Sequence, residues 1–376
     1  MTVPWEENNQ QVRELLDQGR QARDAGRLVE AAALFRQVYD LEPAAFAASR
    51  YLHCMRRQGP VKARAAVRFA REPVERWPLD TWLIREYVWA IYDGYLKVRG
   101  EGDAEPEAPA EERPEFAVMV KAARRILKLS EEELPRTRAV FAICRAARAR
   151  SEWPTVIEFI QTLDPEMLSD EAREQNGRTL PSDRQQWLYI MTRACLELER
   201  YEECRRFARE GMERYPSMMH FPRWHALAQV RSGEGEAGLD ELRAIERQYM
   251  APWYLRREIA EAYEQLGRDA EAWEWYCAAA RSPGEIRSRI STLAQMGQLL
   301  ERLDRGPLAL DHLALAWTLA AREERWEKLA EQNRERAEAF LQRHAAKLGL
   351  PAELPQTPPE PGPLLDRCRQ AWIEGP

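Results

Sequence analysis

The chain has 376 residues, 31% of them charged and 45% hydrophobic, with 56 Lys and Arg against 62 Asp and Glu for a net charge of −6. No apolar run reaches the length of a bilayer span, and Glu6, Glu7, Asn8 and Asn9 stand where a signal peptide would be basic and then hydrophobic. No membrane-spanning segment is therefore expected, a cytoplasmic address is, and an acidic partner can be attracted only by a local basic patch.

From Val12 to Pro43 the chain reads Leu15, Gly19, Ala22, Gly26, Leu28, Ala31, Phe35, Val38, Pro43, which is a helix, a Gly turn, a second helix and a Pro stop. A second unit runs from about Ala47 to Pro78, with Cys54, Ala63, Ala66 and Ala70 in small positions and Pro60 in the turn. A third opens at Asp80 with Ile84, Tyr87, Val88, Ile91 and Tyr95, and its partner helix starts near Glu115 with Phe116, Met119, Val120, Ala123, Ile126 and Leu127. The intervening stretch, about 100–114, is rich in Ala, Pro and Glu and reads as a solvated insertion. The fourth unit pairs Val140, Ile143, Cys144 and Ala147 with Trp153, Val156, Ile160 and Leu163, and a polar interruption follows at about 169–183.

The fifth unit, Gln185 to Pro216, carries Leu188, Met191, Thr192, Cys195, Tyr201, Cys204, Ala208 and Gly211. The sixth runs from Trp224 through Leu227, Ala228, Leu239 and Leu242 to Pro252, with Gly233 to Gly238 as its inter-helix turn. Ile259, Ala260, Tyr263, Gly267, Ala272, Tyr276 and Ala279 mark the seventh, and Leu293, Met296, Gly297, Leu300, Ala309, Leu313 and Ala316 the eighth. No turn residue then appears until Gly349, so one capping helix is expected over about 317–348. A Pro-rich linker at 350–363 precedes a short amphipathic segment, 364–376, with Leu364, Leu365, Cys368 and Trp372 on one side. That segment either docks back on the repeats or opens a further domain.

The recurrence of these small and bulky residues at a period of about 34 resembles the tetratricopeptide repeat family. Small residues let two antiparallel helices approach, bulky ones fill the groove beside them, and Pro ends the second helix. The resemblance implies an all-α, right-handed superhelical solenoid of about eight antiparallel helix-turn-helix repeats over residues 1–349, with neighbours stacked to bury each unit's apolar face. Asp240 departs from the pattern, standing where the family places Ala.

The search for chemistry is almost empty. The six cysteines show no paired ligand spacing and are expected to be reduced core residues, although Cys195 and Cys204 fall within one expected hairpin and leave a redox role open. No phosphate loop, nucleophile elbow or HExxH motif is present, and His220 and His225 are five residues apart, off a shared helix face. No enzyme activity, metal or cofactor is expected.

In the resembled family the first helix of each hairpin lines the inner groove. Transferring that phase gives Arg13, Arg20 and Arg23, then Tyr51, then Trp82, Arg85, Trp89 and Tyr92. Arg138, Phe141, Arg145 and Arg148 follow, then Tyr189 and Arg193. Later units turn mixed to acidic, with His225, Gln229, Arg257, Glu261, Glu264, Gln298 and Glu301. Arg forks carboxylates and stacks on aromatic rings, so the groove is expected to grip an acidic or aromatic segment of a partner protein, making the chain a scaffold or adaptor. The alternatives are single-stranded nucleic acid along the same groove, which the acidic total and the scarcity of Lys disfavour, and a structural subunit of a larger assembly. Self-association stays open, because the capping helix and the 364–376 segment both offer apolar surface.

Overall fold

The computed structural model describes residues 4–97, 114–175, 177–249 and 252–375, so the expected insertion at 100–114 lies almost wholly outside the described residues. The chain divides into two compact units, Met1–Leu198 and Glu199–Pro376. Each is a stack of antiparallel helical hairpins in which a helix packs on its neighbours in sequence.

The first unit holds α1 (Pro4–Asp24), α2 (Leu28–Leu41), α3 (Ala45–Arg56), α4 (Pro60–Phe69), the short α5 (Arg71–Arg76), and α6 (Thr81–Ile91), which runs on into a π turn. After them come α7 (Phe116–Leu129), α8 (Glu133–Arg148), α9 (Trp153–Ile160) and α10 (Asp183–Glu197). The polar interruption contains a two-stranded antiparallel hairpin, β1 (Arg173–Gln175) with β2 (Arg178–Leu180). In the second unit α11 (Tyr201–Arg214) is followed by α12 (His220–Arg231), α13 (Gly235–Gln248), α14 (Trp253–Gln265) and α15 (Asp269–Ala280). The remaining helices are α16 (Ile290–Arg302), α17 (Gly306–Ala321), α18 (Glu327–Leu348) and α19 (Pro361–Glu374).

One turn design closes hairpin after hairpin. A residue with positive φ ends the first helix, and the next amide bonds back to a carbonyl five residues earlier: Arg27 to Ala22 (2.8 Å), Glu152 to Ala147 (3.0 Å), Arg268 to Tyr263 (2.9 Å), Arg305 to Leu300 (2.9 Å). Gly26 and Gly267 supply that φ without strain, whereas Ser151 (57°) and Asp304 (55°) adopt it despite a Cβ. Close helix approach is set by a second kind of glycine. A Cβ on Gly19 would meet the Phe35 ring at 2.9 Å, and one on Gly297 would meet Leu313 at 2.7 Å, sixteen residues on in both hairpins.

The repeat period reappears as hydrogen bonds between equivalent positions of successive hairpins. Tyr39 and Glu72 are 33 residues apart, Arg124 and Glu158 34, Gln295 and Glu261 34, Arg223 and Glu258 35. A further device recurs between hairpins, where an Arg reaches back to the end of the preceding helix. Arg136 donates to Leu127 O (2.8 Å) and Ser130 O (3.1 Å), and Arg289 to Ala280 O (2.9 Å) and Pro283 O (2.6 Å), which places a cation on the negative end of each helix dipole.

Three expectations are corrected. The capping helix does not run unbroken over 317–348: α17 stops at Ala321, and a 3₁₀ turn (Glu324–Trp326) precedes α18. Continuing α17 would carry Glu323 and Glu324 into the stripe occupied by Leu319 and Ala320, whereas reversal lets α18 bury Ala330, Ala337, Phe340 and Leu341. In the sixth unit the turn is shorter than Gly233 to Gly238, because α13 starts at Gly235; Gly238 is inside the helix at the close-approach position, with Ala226 O only 2.6 Å from where its Cβ would lie, and Asp240 is exposed. The last part of the expected linker is helical, since Pro361 and Pro363 form the first turn of α19, where Pro lacks only an amide that would have no partner.

Candidate partner-binding cleft

α1, α3 and α6, the first helices of three hairpins of the first unit, line one cleft. α3 buries Ala47, Ala48, Leu52 and Cys54, which leaves Phe46, Arg50 and His53 on the opposite side at spacings of four and three, with Ser49 buried at the edge of that side. These residues, with Leu16 and Arg20 of α1 and Asp80, Trp82 and Glu86 at α6, enclose a cleft of about 280 Å³. Two of its walls are aromatic and open to solvent, Phe46 at 45% and Trp82 at 66% exposure.

The floor of the cleft is a closed ionic network. Glu86 accepts from Arg56 Nε at 2.7 Å and lies 3.1 Å from His53 Nδ1, while Arg56 also donates to Asp93 at 2.9 Å. Burial pushes the Glu86 carboxyl up, but the hydrogen bonds from His53 and Arg56 outweigh it and hold the group below its usual range. Asp80 caps α6 through the Leu83 amide (2.8 Å), so both carboxylates of the cleft have internal partners. At the rim, exposed Arg20 shares Asp17 at 3.3 Å in a solvated pair of little energetic weight, and Arg50 is exposed.

The structure brings only Arg20 and Trp82 of the expected groove residues into this cleft. Arg85 lies 5.9 Å from the Trp82 ring and 3.6 Å from Glu132. Trp89 and Tyr92 form an edge-on pair at 5.6 Å, both partly buried. Arg148 covers Tyr189 at 5.2 Å, and Arg193 covers Trp153 at 5.9 Å while pairing with Glu197 at 2.5 Å. Arg23 binds the adjacent Asp24 at 2.8 Å, Arg13 is exposed on α1, and Arg138 and Arg145 are partly buried on α8.

Two assignments fail. Tyr51 does not line the inner face: its ring packs edge-on against Phe69 of α4 at 4.6 Å with Arg36 of α2 6.0 Å away, among the second helices. At about 100° per residue, position 51 stands roughly 160° from position 53 around α3. Phe141 is only 4% exposed, because α8 is buried continuously from Ala139 to Cys144. The residues the expectation passed over, Phe46, Arg50, His53 and Glu86, were signalled by their spacing opposite the small, buried stripe of α3.

The inner residues of the second unit are tied to one another. Arg257 meets Glu261 at 3.2 Å, Gln295 donates to Glu261 at 2.7 Å, and His225 lies 2.9 Å from Glu241. Glu264 accepts from Tyr276 and Arg302, and Glu301 from Arg343 and His344. Burial pushes the Glu261 carboxyl up in spite of Arg257. All six cysteines are buried, and desolvation raises the Cys54 thiol to about 11 and those of Cys144 and Cys277 to about 12, which disfavours the nucleophilic thiolate. Among the described residues no group of His, Cys, Asp and Glu is arranged to hold a metal ion, and no helix is long and apolar enough to cross a membrane.

No family model matches the chain, and no curated protein does. Solved structures give a faint likeness. A tetratricopeptide repeat protein from Parabacteroides merdae is 14% identical, with 86% of this chain and 99% of that one covered at a TM-score of 0.36. Yeast Tom70 is 12% identical over 97% and 96% of the two chains, TM-score 0.37. The human IFIT1 dimer with m7Gppp-AAAA is 10% identical over 95% and 78%, TM-score 0.47. At such identities and TM-scores nothing about this chain's ligand follows from them.

Proposed function

We propose that the chain is a non-enzymatic protein-binding scaffold of the tetratricopeptide repeat type, acting in the cytoplasm, and that the cleft of its first unit takes a segment of a partner protein. The observation that carries this reading is the pair of exposed aromatic rings, Phe46 and Trp82, contributed by successive hairpins to one cleft with Arg20 and Arg50 at the rim. Large aromatic surface left in water is the anchor material of protein interfaces. The carboxylates at its base already have partners, so the groups facing a guest are rings and guanidiniums. A segment with an aromatic or large apolar side chain beside a carboxylate fits both.

The test is selection of binding peptides from a displayed library on the intact chain, with Trp82→Ala and Arg50→Glu as counter-screens. Selected peptides are expected to pair an aromatic residue with an acidic one and to lose at least tenfold in affinity to each variant. Binders retained equally by both variants overturn the assignment. Single-stranded RNA is expected not to bind even at low salt; salt-sensitive binding abolished by the same variants would transfer the cleft to nucleic acid.

A further inference from the structure

The C-terminal helix sits on the second unit in the manner of a bound ligand. It packs on α15 and α17 and buries Leu364, Cys368, Ala371 and Trp372, one stripe of an amphipathic helix. Three polar contacts fix its direction. Glu360, just before it, meets Arg322 at the end of α17 (2.9 Å); Arg367 grips Asp311 with two bonds of 2.6 and 2.8 Å; and Trp372 donates its indole N–H to His312 Nε2 at 2.9 Å. Glu360 meets the residue after α17 ends, whereas Trp372, Ile373 and Glu374 lie beside Leu303 and Arg305, just before it starts, so α19 is antiparallel to α17.

The recognition is chemically exacting. His312 is fully buried, and its Nδ1 lies 2.9 Å from Leu308 O, an acceptor only, so Nδ1 carries the proton and Nε2 presents a bare lone pair. Without an N–H donor arriving from above, that nitrogen is a buried acceptor with nothing to accept. The site thus selects a helix that carries a Trp five residues after an Arg, and α19 has that spacing.

The connection to α19 is long and contains no buried residue. α18 is also antiparallel to α17, with Arg334 over Trp317 at one end and Leu348 against Gly306 at the other. Residues 349–360 must therefore carry the chain back along the 16 residues of α17, about 24 Å at 1.5 Å per residue. Twelve residues that include Pro351, Pro355, Pro358 and Pro359 reach about 37 Å when extended, and none of them is buried. Straightening this strap lifts α19 away while every other helix contact of the unit stays in place.

We propose that this face of α15 and α17 is a docking site for the C-terminal helix of a second copy of the chain, so that two copies associate by exchanging α19. The second copy is the occupant because its helix carries the Arg367 and Trp372 that Asp311 and His312 require. Every contact α19 loses within one chain is remade between two, and no residue of the strap is buried.

The test uses full-length variants in complementation, read by sedimentation velocity. One has a disabled helix, Arg367→Glu with Trp372→Ala; the other has a disabled site, Asp311→Lys with His312→Leu. Each alone is expected to be monomeric, and an equimolar mixture to give a one-to-one heterodimer. A mixture that stays monomeric overturns the exchange. Deleting residues 353–359, none of which is buried, leaves five residues that span at most about 18 Å when fully extended and no longer reach their own site. That chain is expected to be a dimer, and a monomer with Trp372 exposed to solvent quenchers overturns the proposal even if the site-disabled variant misfolds.

Discussion

The first helices of the hairpins differ between the two units in what their side chains have left to do. In the first unit Phe46 and Trp82 stand in water over a floor whose charges are already paired. In the second, Arg257, Glu261, Gln295 and Glu301 are held by internal partners, and on a different face α19 fills the apolar surface of α15 and α17. A repeat array thus separates two tasks that a single core combines: hairpin packing repeats, while each stretch of surface is free either to bind inward partners or to hold itself together.

The contrast breaks most visibly where polar groups are buried as structure. Arg223 and Glu258 form a two-bond pair at 2.5 and 2.6 Å, 8% and 4% exposed, with Tyr254 4.7 Å beneath the guanidinium. Arg223→Leu leaves an uncompensated carboxylate in that site and is expected to cost about 3–5 kcal/mol in the denaturant-unfolding transition of the second unit. Restoring most of that loss by adding Glu258→Leu would show the pair to be a specificity device. A double variant as unstable as the single one would show that the polar pair itself holds α12 to α14.

Next in size is the acid sensitivity of the α19 dock. Burial depresses His312 from 6.5 to about 4, while the Leu308 carbonyl and nearby Asp311 act in the opposite direction. Below pH 6.5 the unfolded chain takes up a proton that folded His312 refuses. Its contribution is therefore complete above 6.5 and lost as pH falls toward 4, about 3 kcal/mol in total. Unfolding free energies measured from pH 7 to 4 should be flatter for His312→Leu than for the parent by up to about 1.4 kcal/mol per pH unit. Parallel curves would mean that His312 is charged in place.

Trp82→Ala sharpens the comparison from the other side. Its ring is 66% exposed, so removal should change stability by about 0.5 kcal/mol or less while costing about 2 kcal/mol in partner affinity. Trp224→Ala, at 2% exposure, should do the reverse by unfolding the second unit. Paired melting and binding curves check both.

Hairpin order was legible because close helix approach demands small residues at fixed offsets, and Gly19, Ala63, Ala208 and Gly297 announce them in the chain. The phase of the inner face was harder to read. On α3, Tyr51 looks like groove material by residue type, yet the helix turns it toward Phe69, and only the buried set Ala47, Ala48, Ser49, Leu52 and Cys54 shows where the open side lies. The stop at Ala321 carries no Gly or Pro and arises because α18 gains a core by reversing. The dock of α19 depends on Asp311 and His312, more than fifty residues distant, which no local pattern could join to Arg367 and Trp372.

The turns offer the smallest effect and a direct comparison of strain with sequence. Gly26 and Gly267 hold the left-handed conformation at 76° and 71°, and Ser151 and Asp304 hold nearly the same one at 57° and 55°. A Cβ there costs about 1–2 kcal/mol, while glycine makes the unfolded chain freer by about 0.4–1 kcal/mol. Ser151→Gly and Asp304→Gly should therefore each stabilise their own unit by about 0.5 kcal/mol, and Gly267→Ser should destabilise by a similar amount. If thermal melts of the two replacements fall instead, the native side chains must contribute bonds that outweigh the strain. The recurring turn would then be specified by its i to i−5 hydrogen bond and not by glycine.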